Sequence, residues 1–171
     1  MRLTEGKTLR RMLRIVPVLV LVAIGLNGCG AAAPRGAIES ASRLLAAALS
    51  GDRAAFEAQI DRAAVREDVR RQVAEVAKAT VLEVDGGPSE FALDRMISPE
   101  KVRVVDRSGA ALTTAPTARQ VAPLMRKVDG THACLRDAGQ RDCLLTFAKG
   151  KGDWRLVGMK AMDLTIQVAG D

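Results

Sequence analysis

The chain has 171 residues, with 26 Lys and Arg, 20 Asp and Glu and one His, for a formal net charge of +6. Its aromatic residues are three Phe and one Trp, widely separated in the sequence, with no Tyr. A base-stacking surface needs clustered aromatic side chains beside basic ones. The composition therefore argues against a protein that binds nucleic acid.

Residues 1–28 have the pattern of a signal peptide. Five basic residues in the first fourteen precede an apolar run at 15–26. The run is shorter than the roughly 20 residues that a membrane-spanning helix needs, and Pro17 interrupts it. Without these residues the chain keeps 143 residues with 21 basic and 19 acidic side chains, so the leader carries most of the excess charge. We expect a cleaved leader; a retained anchor and ordinary secretion stay as alternatives.

The leader ends in Leu26-Asn27-Gly28-Cys29. This stretch resembles the lipobox of bacterial lipoproteins, although Asn27 stands where Ala, Ser, Thr or Val is commoner. The resemblance implies that Cys29 carries diacylglycerol, that the chain is cut before Cys29, and that the new amino group is acylated, for example with palmitate. Two or three acyl chains anchor a protein stably. Gly30 is not the Asp that retains such proteins in the inner membrane, which favours the outer membrane; the alternative is an inner-membrane protein held by an uncleaved anchor.

The first half of the remaining chain predicts helices. Residues 29–36 are small and unpatterned and predict a flexible tether, so a single domain is expected over 37–171. The first helix ends at Gly51, and Asp52 caps the next. A third helix begins near Ala63 and has one apolar face, formed by Val65, Val69, Val73, Val76 and Thr80. A short helix is expected over 89–97, before Pro99.

The second half predicts mainly strands. A strand at 101–106 is followed by a short helix that Thr117 and Gln120 begin as a capping box and that Pro123 limits. Four successive strands are then expected at 131–136, 143–149, 154–160 and 164–168. This order predicts an α+β fold in which N-terminal helices pack on a C-terminal antiparallel sheet. It resembles the cone-shaped folds similar to nuclear transport factor 2.

A local resemblance covers residues 40–105. The segments at 51–56, 60–61 and 64–73, and the turn Met96-Ile97-Ser98-Pro99-Glu100, resemble a bacterial family called domain of unknown function 2939. These are helix-packing segments. The family brings no established activity, so the resemblance implies no catalytic residue.

Cys134 and Cys143 predict a disulfide, as an even pair does in an exported protein. If Ala138-Gly139 is a two-residue hairpin loop, Cys134 faces Cys143 at a non-hydrogen-bonded position of the ladder. The alpha carbons there lie about 4.5 Å apart, within the range that a disulfide tolerates.

Other residues are candidates for chemistry. His132 shares a strand face with Cys134 and, with both cysteines as thiolates, would form a metal site, but a disulfide removes the thiolates. Glu90 and Asp94 share a helix face and form either an acid–base pair or part of a solvated surface. Trp154 is a core residue or a ligand contact. Met159 and Met162, three apart on a strand, point to opposite faces and favour core filling over copper binding.

Taken together, the sequence predicts a lipoprotein of the cell envelope that faces the periplasm. Its membrane contact is the lipidated Cys29, and its domain is a non-catalytic binding or assembly module for an envelope protein, with no cofactor. The alternative is a pocket enzyme or small-ligand carrier on a cone-shaped fold. A polar cluster in a concave sheet would favour the alternative, and an apolar outer patch would favour the binding module.

Overall fold

The computed structural model describes residues 32–79, 87–137, 142–162 and 164–168. They belong to one compact unit with an α+β fold, in which helices come first and a four-stranded antiparallel sheet follows. The helices are α1 (Arg35–Ser50), α2 (Arg53–Ala58), α3 (Arg62–Ala79), α4 (Glu90–Met96) and α5 (Ala118–Val121). The strands are β1 (Arg103–Val105), β2 (Met125–Lys127), β3 (His132–Leu135), β4 (Leu145–Lys149), β5 (Trp154–Met159) and β6 (Thr165–Gln167).

Local signals set the ends of the helices as predicted. Gly51 takes the left-handed conformation (φ 67°) that ends α1, and the Asp52 side chain accepts a hydrogen bond from the Ala55 amide to begin α2. Thr117 and Gln120 form the expected capping box at the start of α5. Each of these contacts joins residues no more than four apart, so a sequence pattern is enough to find it.

One hydrophobic core lies between the helices and the sheet. The α1 face contributes Leu44 and Leu45, and the inner face of the sheet contributes Leu135, Phe147 and Leu156; all five side chains are fully buried. Apolar residues recur at helical spacing in α1, so the helix buries one side, and buried residues alternate in β4. In β3 three consecutive residues, 133–135, are buried. This arrangement confirms the predicted α+β class with helices packed on the sheet.

The order of strands differs from the predicted meander. The sheet has the order β2-β3-β4-β5 and begins with β2, a strand that sequence analysis missed because Met-Arg-Lys has a single apolar residue and follows Pro123. The last predicted strand, β6, leaves this sheet and pairs in parallel with β1. β5 has no free edge for it: the Ile60 segment bridges to Leu156, with the Asp61 amide donating to the Leu156 carbonyl at 2.8 Å.

The opposite edge of the sheet is also covered. Ala32 forms an antiparallel bridge with Arg126 of β2, and α1 begins at Arg35. Gly36 lies in the first turn of α1 against the Trp154 indole. Residues 32–36, which the sequence assigned to a flexible tether, are therefore part of the folded unit.

Candidate functional site

Cys134 and Cys143 form the predicted disulfide, with their alpha carbons 5.4 Å apart. The predicted hairpin register is wrong. Cys134 faces Thr146, Leu135 faces Leu145, and Cys143 precedes β4, so the bridge joins a strand to a loop instead of crossing a ladder. The two-residue turn placed at 138–139 lies outside the described residues.

A physical reason explains the observed register of this hairpin. The predicted pairing would set Asp142 opposite the buried Leu135 and place a carboxylate on the core face. The observed pairing sets Leu145 opposite Leu135 and Phe147 opposite Ala133, so both strands turn apolar side chains inward. Cys134 is fully buried and Cys143 is exposed.

His132 begins β3, directly after the turn that joins β2 to β3. Its Nδ1 is 3.0 Å from Oδ2 of Asp129. The other carboxylate oxygen, Oδ1, accepts hydrogen bonds from the backbone amides of Thr131 and His132, both at 2.7 Å. The Thr131 amide is the main cause that lowers the pKa of Asp129 to about 2, followed by the Thr131 hydroxyl and His132. No cluster of metal-ligating side chains occurs among the residues that the structure describes. His132 is thus the first residue of β3, and its side chain pairs with Asp129 of the turn between β2 and β3.

Glu90 and Asp94 lie on one face of α4 as predicted, and arginines of α3 face both of them. Asp94 accepts hydrogen bonds from Arg66 (2.6 Å) and Arg62 (2.9 Å), and Glu90 pairs with Arg66 and Arg70. Arg66, and secondarily Arg62, lowers the pKa of Asp94 below its ordinary range. These ion pairs connect α4 to α3, and the pKa of Asp94 moves in the direction opposite to that of a general acid.

A polar cleft of about 220 Å³ adjoins these ion pairs. Its charged side chains are Arg53, Glu57, Arg62 and Asp94, and each of them pairs with an oppositely charged neighbour. The positive and negative charges of these side chains therefore compensate one another within the protein. The arrangement stabilises the contact between α3 and α4 and provides no concentrated charge for a ligand.

Trp154 is a core residue. Only 8% of it is exposed, and the Ser40 hydroxyl of α1 donates to the Trp154 carbonyl at 2.7 Å. The indole lines neither this polar cleft nor the apolar groove formed by α3 and the segment after β5. Of the two methionines weighed as copper ligands, Met159 is buried, whereas Met162 lies beyond the end of β5 and is 57% exposed.

An apolar groove lies where α3 extends past the sheet. It has a volume of about 270 Å³ and is formed by the side chains of Val73, Val76, Met96, Ala161 and Met162, with Gln72 and Lys160 also contributing. Val65 and Val69 at the start of the α3 stripe are fully buried, but Val76 is 47% exposed. The apolar face of α3 thus extends beyond the part of the core against which the helix packs.

Gln72 fixes one wall of this apolar groove. Its amide nitrogen donates to the Met159 carbonyl at 2.9 Å, and its amide oxygen accepts from the Ala161 backbone at 3.1 Å. The side chain thus pairs with the backbone at the end of β5 as a neighbouring strand would. The helical spacing predicts Val73 and Val76 on the core face. It does not reveal the groove, because Lys160, Ala161 and Met162 of the opposite wall lie more than 80 positions away in the sequence.

No model of a known protein family matches the chain, and no curated protein or solved structure matches it either. The resemblances to lipoproteins and to domain of unknown function 2939 therefore stay predictions. Within the described part of the chain, no helix has both the length and the apolar character required to cross a membrane.

Proposed function

We propose that the protein is a lipoprotein of the bacterial cell envelope, anchored through Cys29 and facing the periplasm, with the outer membrane favoured. Its domain acts as a non-catalytic module that binds or assembles with an envelope protein. The lipobox residues 26–29 support the anchor. The observation that carries the binding role is the apolar groove between the end of α3 and the segment after β5.

The surface chemistry of the groove favours a protein partner. Val76 and Met162 are about half exposed, although burying an aliphatic side chain stabilises a protein by about 1.5–3 kcal/mol. Of the described residues that line the groove, Lys160 is the one that carries a charge. A segment with apolar side chains and a carboxylate that meets Lys160 would complement it. At about 270 Å³ the groove is close to the lower limit of the usual range for pockets that enclose a small molecule.

Two described carboxylates, Asp94 and Asp129, do not suit the role of a general acid at neutral pH. General acid–base work at neutral pH requires a group whose pKa lies near 7. The pKa of Asp94 moves away from that range because of Arg66, and that of Asp129 moves away because of the Thr131 amide.

The intact mass of protein extracted from bacterial membranes without reductant tests the anchor. We expect a chain that begins at Cys29, carries acyl mass and lacks two hydrogens because of the disulfide. A full-length mass beginning at Met1, or a Cys29 chain without acyl groups, would contradict lipid anchoring.

Crosslinking in living cells tests the binding role. A photo-crosslinking residue at Val76 should give a discrete adduct with an envelope protein, and Lys160→Glu should weaken it by charge repulsion. The matched control is the same residue at Phe91, which is 71% exposed but does not line the groove. Identical adducts at both positions, or none at Val76, would refute a partner at the groove. A small apolar molecule retained in native mass spectrometry, and lost in Val76→Asp, would instead support a carrier.

A further inference from the structure

The distance along the chain between the proposed lipid anchor and the folded unit is very short. Ala32 is three residues after Cys29, and its backbone already pairs with Arg126 at the edge of the sheet. Three extended residues span at most about 10 Å. An acylated Cys29 would therefore hold the β2 edge of the domain within that distance of the membrane.

The residues exposed at this edge suit a membrane surface. Arg126 and Lys127 are exposed on β2, and neither forms an ion pair with a carboxylate of the described residues. The next residue, Val128, is 56% exposed. We call Arg126, Lys127 and Val128 the β2 edge patch. Arg126 and Lys127 are consecutive on a strand, so their side chains leave the sheet edge on opposite sides, and the Arg126 guanidinium also donates to the carbonyls of Pro123 and Met125. The patch thus presents cations on both sides of the edge beside an apolar side chain, a combination that interfacial membrane-binding segments use.

Asp129 follows the β2 edge patch in the sequence. Its carboxylate accepts hydrogen bonds from the backbone amides of Thr131 and His132, which lower its pKa to about 2, so it is ionised at neutral pH. Residues 126–129 therefore carry two positive charges and one negative charge, a net charge of +1.

We infer that the β2 edge patch lies on the anionic lipid headgroups of the membrane that holds Cys29. This inference rests on the proposed lipid anchor. Arg126 and Lys127 attract the headgroups, and Val128 enters the interface between headgroups and acyl chains. With 16 residues, α1 is about 24 Å long. Arg53 and Lys101 lie beyond its C-terminal end, which is the end opposite Ala32.

Energy transfer from Trp154 measures this orientation. Trp154 is the sole tryptophan and packs against Gly36 in the first turn of α1, so the donor lies at the end of α1 nearest Ala32. The lipidated protein, as extracted from membranes, is reconstituted into phosphatidylcholine vesicles with or without phosphatidylglycerol. Both contain a dansyl-labelled headgroup as acceptor. We compare the wild type with Arg126→Gln/Lys127→Gln and with the matched control Arg53→Gln/Lys101→Gln.

We expect higher transfer efficiency on the anionic vesicles, falling as salt is added. Each basic residue near an anionic surface contributes about 1 kcal/mol, so removing two shifts the equilibrium toward detached orientations by about 30-fold. The Arg126→Gln/Lys127→Gln variant should therefore lose the increase, and the control variant should keep it. Circular dichroism checks that both variants stay folded.

The other outcomes separate the two proposals. If the acylated protein gives the same transfer efficiency on both vesicles, the proposed orientation is wrong and the anchor stands. The same holds if the efficiency falls equally in both variants. Protein without acyl mass overturns the anchor, and the orientation with it.

Discussion

Replacing Gly36 with Ala should destabilise the domain, although Gly→Ala in a helix ordinarily stabilises it. Gly36 is the second residue of α1. A methyl group at its alpha carbon would lie 2.8 Å from Cδ1 and 3.1 Å from Nε1 of Trp154. These distances are well below ordinary van der Waals contact, so either the indole or the helix has to move.

Two structural features resist that movement. Trp154 is 8% exposed within the core, and the hydrogen bond from Ser40 holds its backbone to α1. Overpacking of a close-packed core costs about 1–3 kcal/mol, whereas the gain in helix propensity is at most about 1 kcal/mol. We therefore expect a net loss of about 1–2 kcal/mol, which lowers Tm by about 3–8 °C for a domain of this size.

Thermal unfolding followed by circular dichroism measures the effect, and Gly130→Ala is the matched control. Among the described residues other than its two chain neighbours, no atom lies within 4 Å of a methyl group at Gly130, so this change should leave Tm unchanged or raise it slightly. In a Trp154→Leu background, where the indole is absent, Gly36→Ala should no longer be destabilising. A Gly36→Ala protein that melts at or above the wild-type temperature would refute the close packing of α1 on Trp154.

Two further predictions concern the ion pairs and the disulfide. Asp94→Asn should cost about 1 kcal/mol at pH 7, a small value because the carboxylate is 40% exposed. Because Arg66 lowers the folded-state pKa of Asp94, its contribution is complete above the unfolded pKa of about 4 and disappears as the pH falls through the folded value. Urea unfolding should thus separate wild type and variant at neutral pH and bring them together in strong acid; a constant difference would exclude the ion pairs as its cause. Cys143→Ser should cost about 2–3 kcal/mol, since the disulfide closes a loop with a sequence separation of 9, and reductant should lower the stability of the wild type alone.

The features that depend on nearby residues follow from the sequence. The ends of α1, α2 and α5 follow from Gly51, from Asp52 and from the Thr117–Gln120 box, because each cap joins residues a few positions apart. The apolar spacing in α3 likewise predicts which side of the helix is inward. That spacing does not say how far the covering surface extends, and so Val76 was placed in the core although about half of it is exposed.

Contacts between distant residues were beyond the sequence patterns. The arginines of α3 that face Asp94 have the ordinary composition of a solvated helix, and nothing local shows that α4 folds back onto them. The disulfide was predicted correctly from cysteine number and export, while its register was wrong. The predicted register assumed a two-residue turn at 138–139. That register would place Asp142 opposite Leu135, on the core side of the strand.

The edges of the sheet connect the fold to the proposed membrane orientation. An exposed edge strand offers unpaired backbone groups to other chains, so folded proteins cover such edges. Here the Ile60 segment and Gln72 cover β5, which leaves β6 to pair with β1. Ala32 covers β2, and that same pairing fixes where the chain leaves the domain toward Cys29. The residues beside this exit, Arg126 to Val128, are therefore the part of the surface that a lipid anchor at Cys29 would bring to the membrane first.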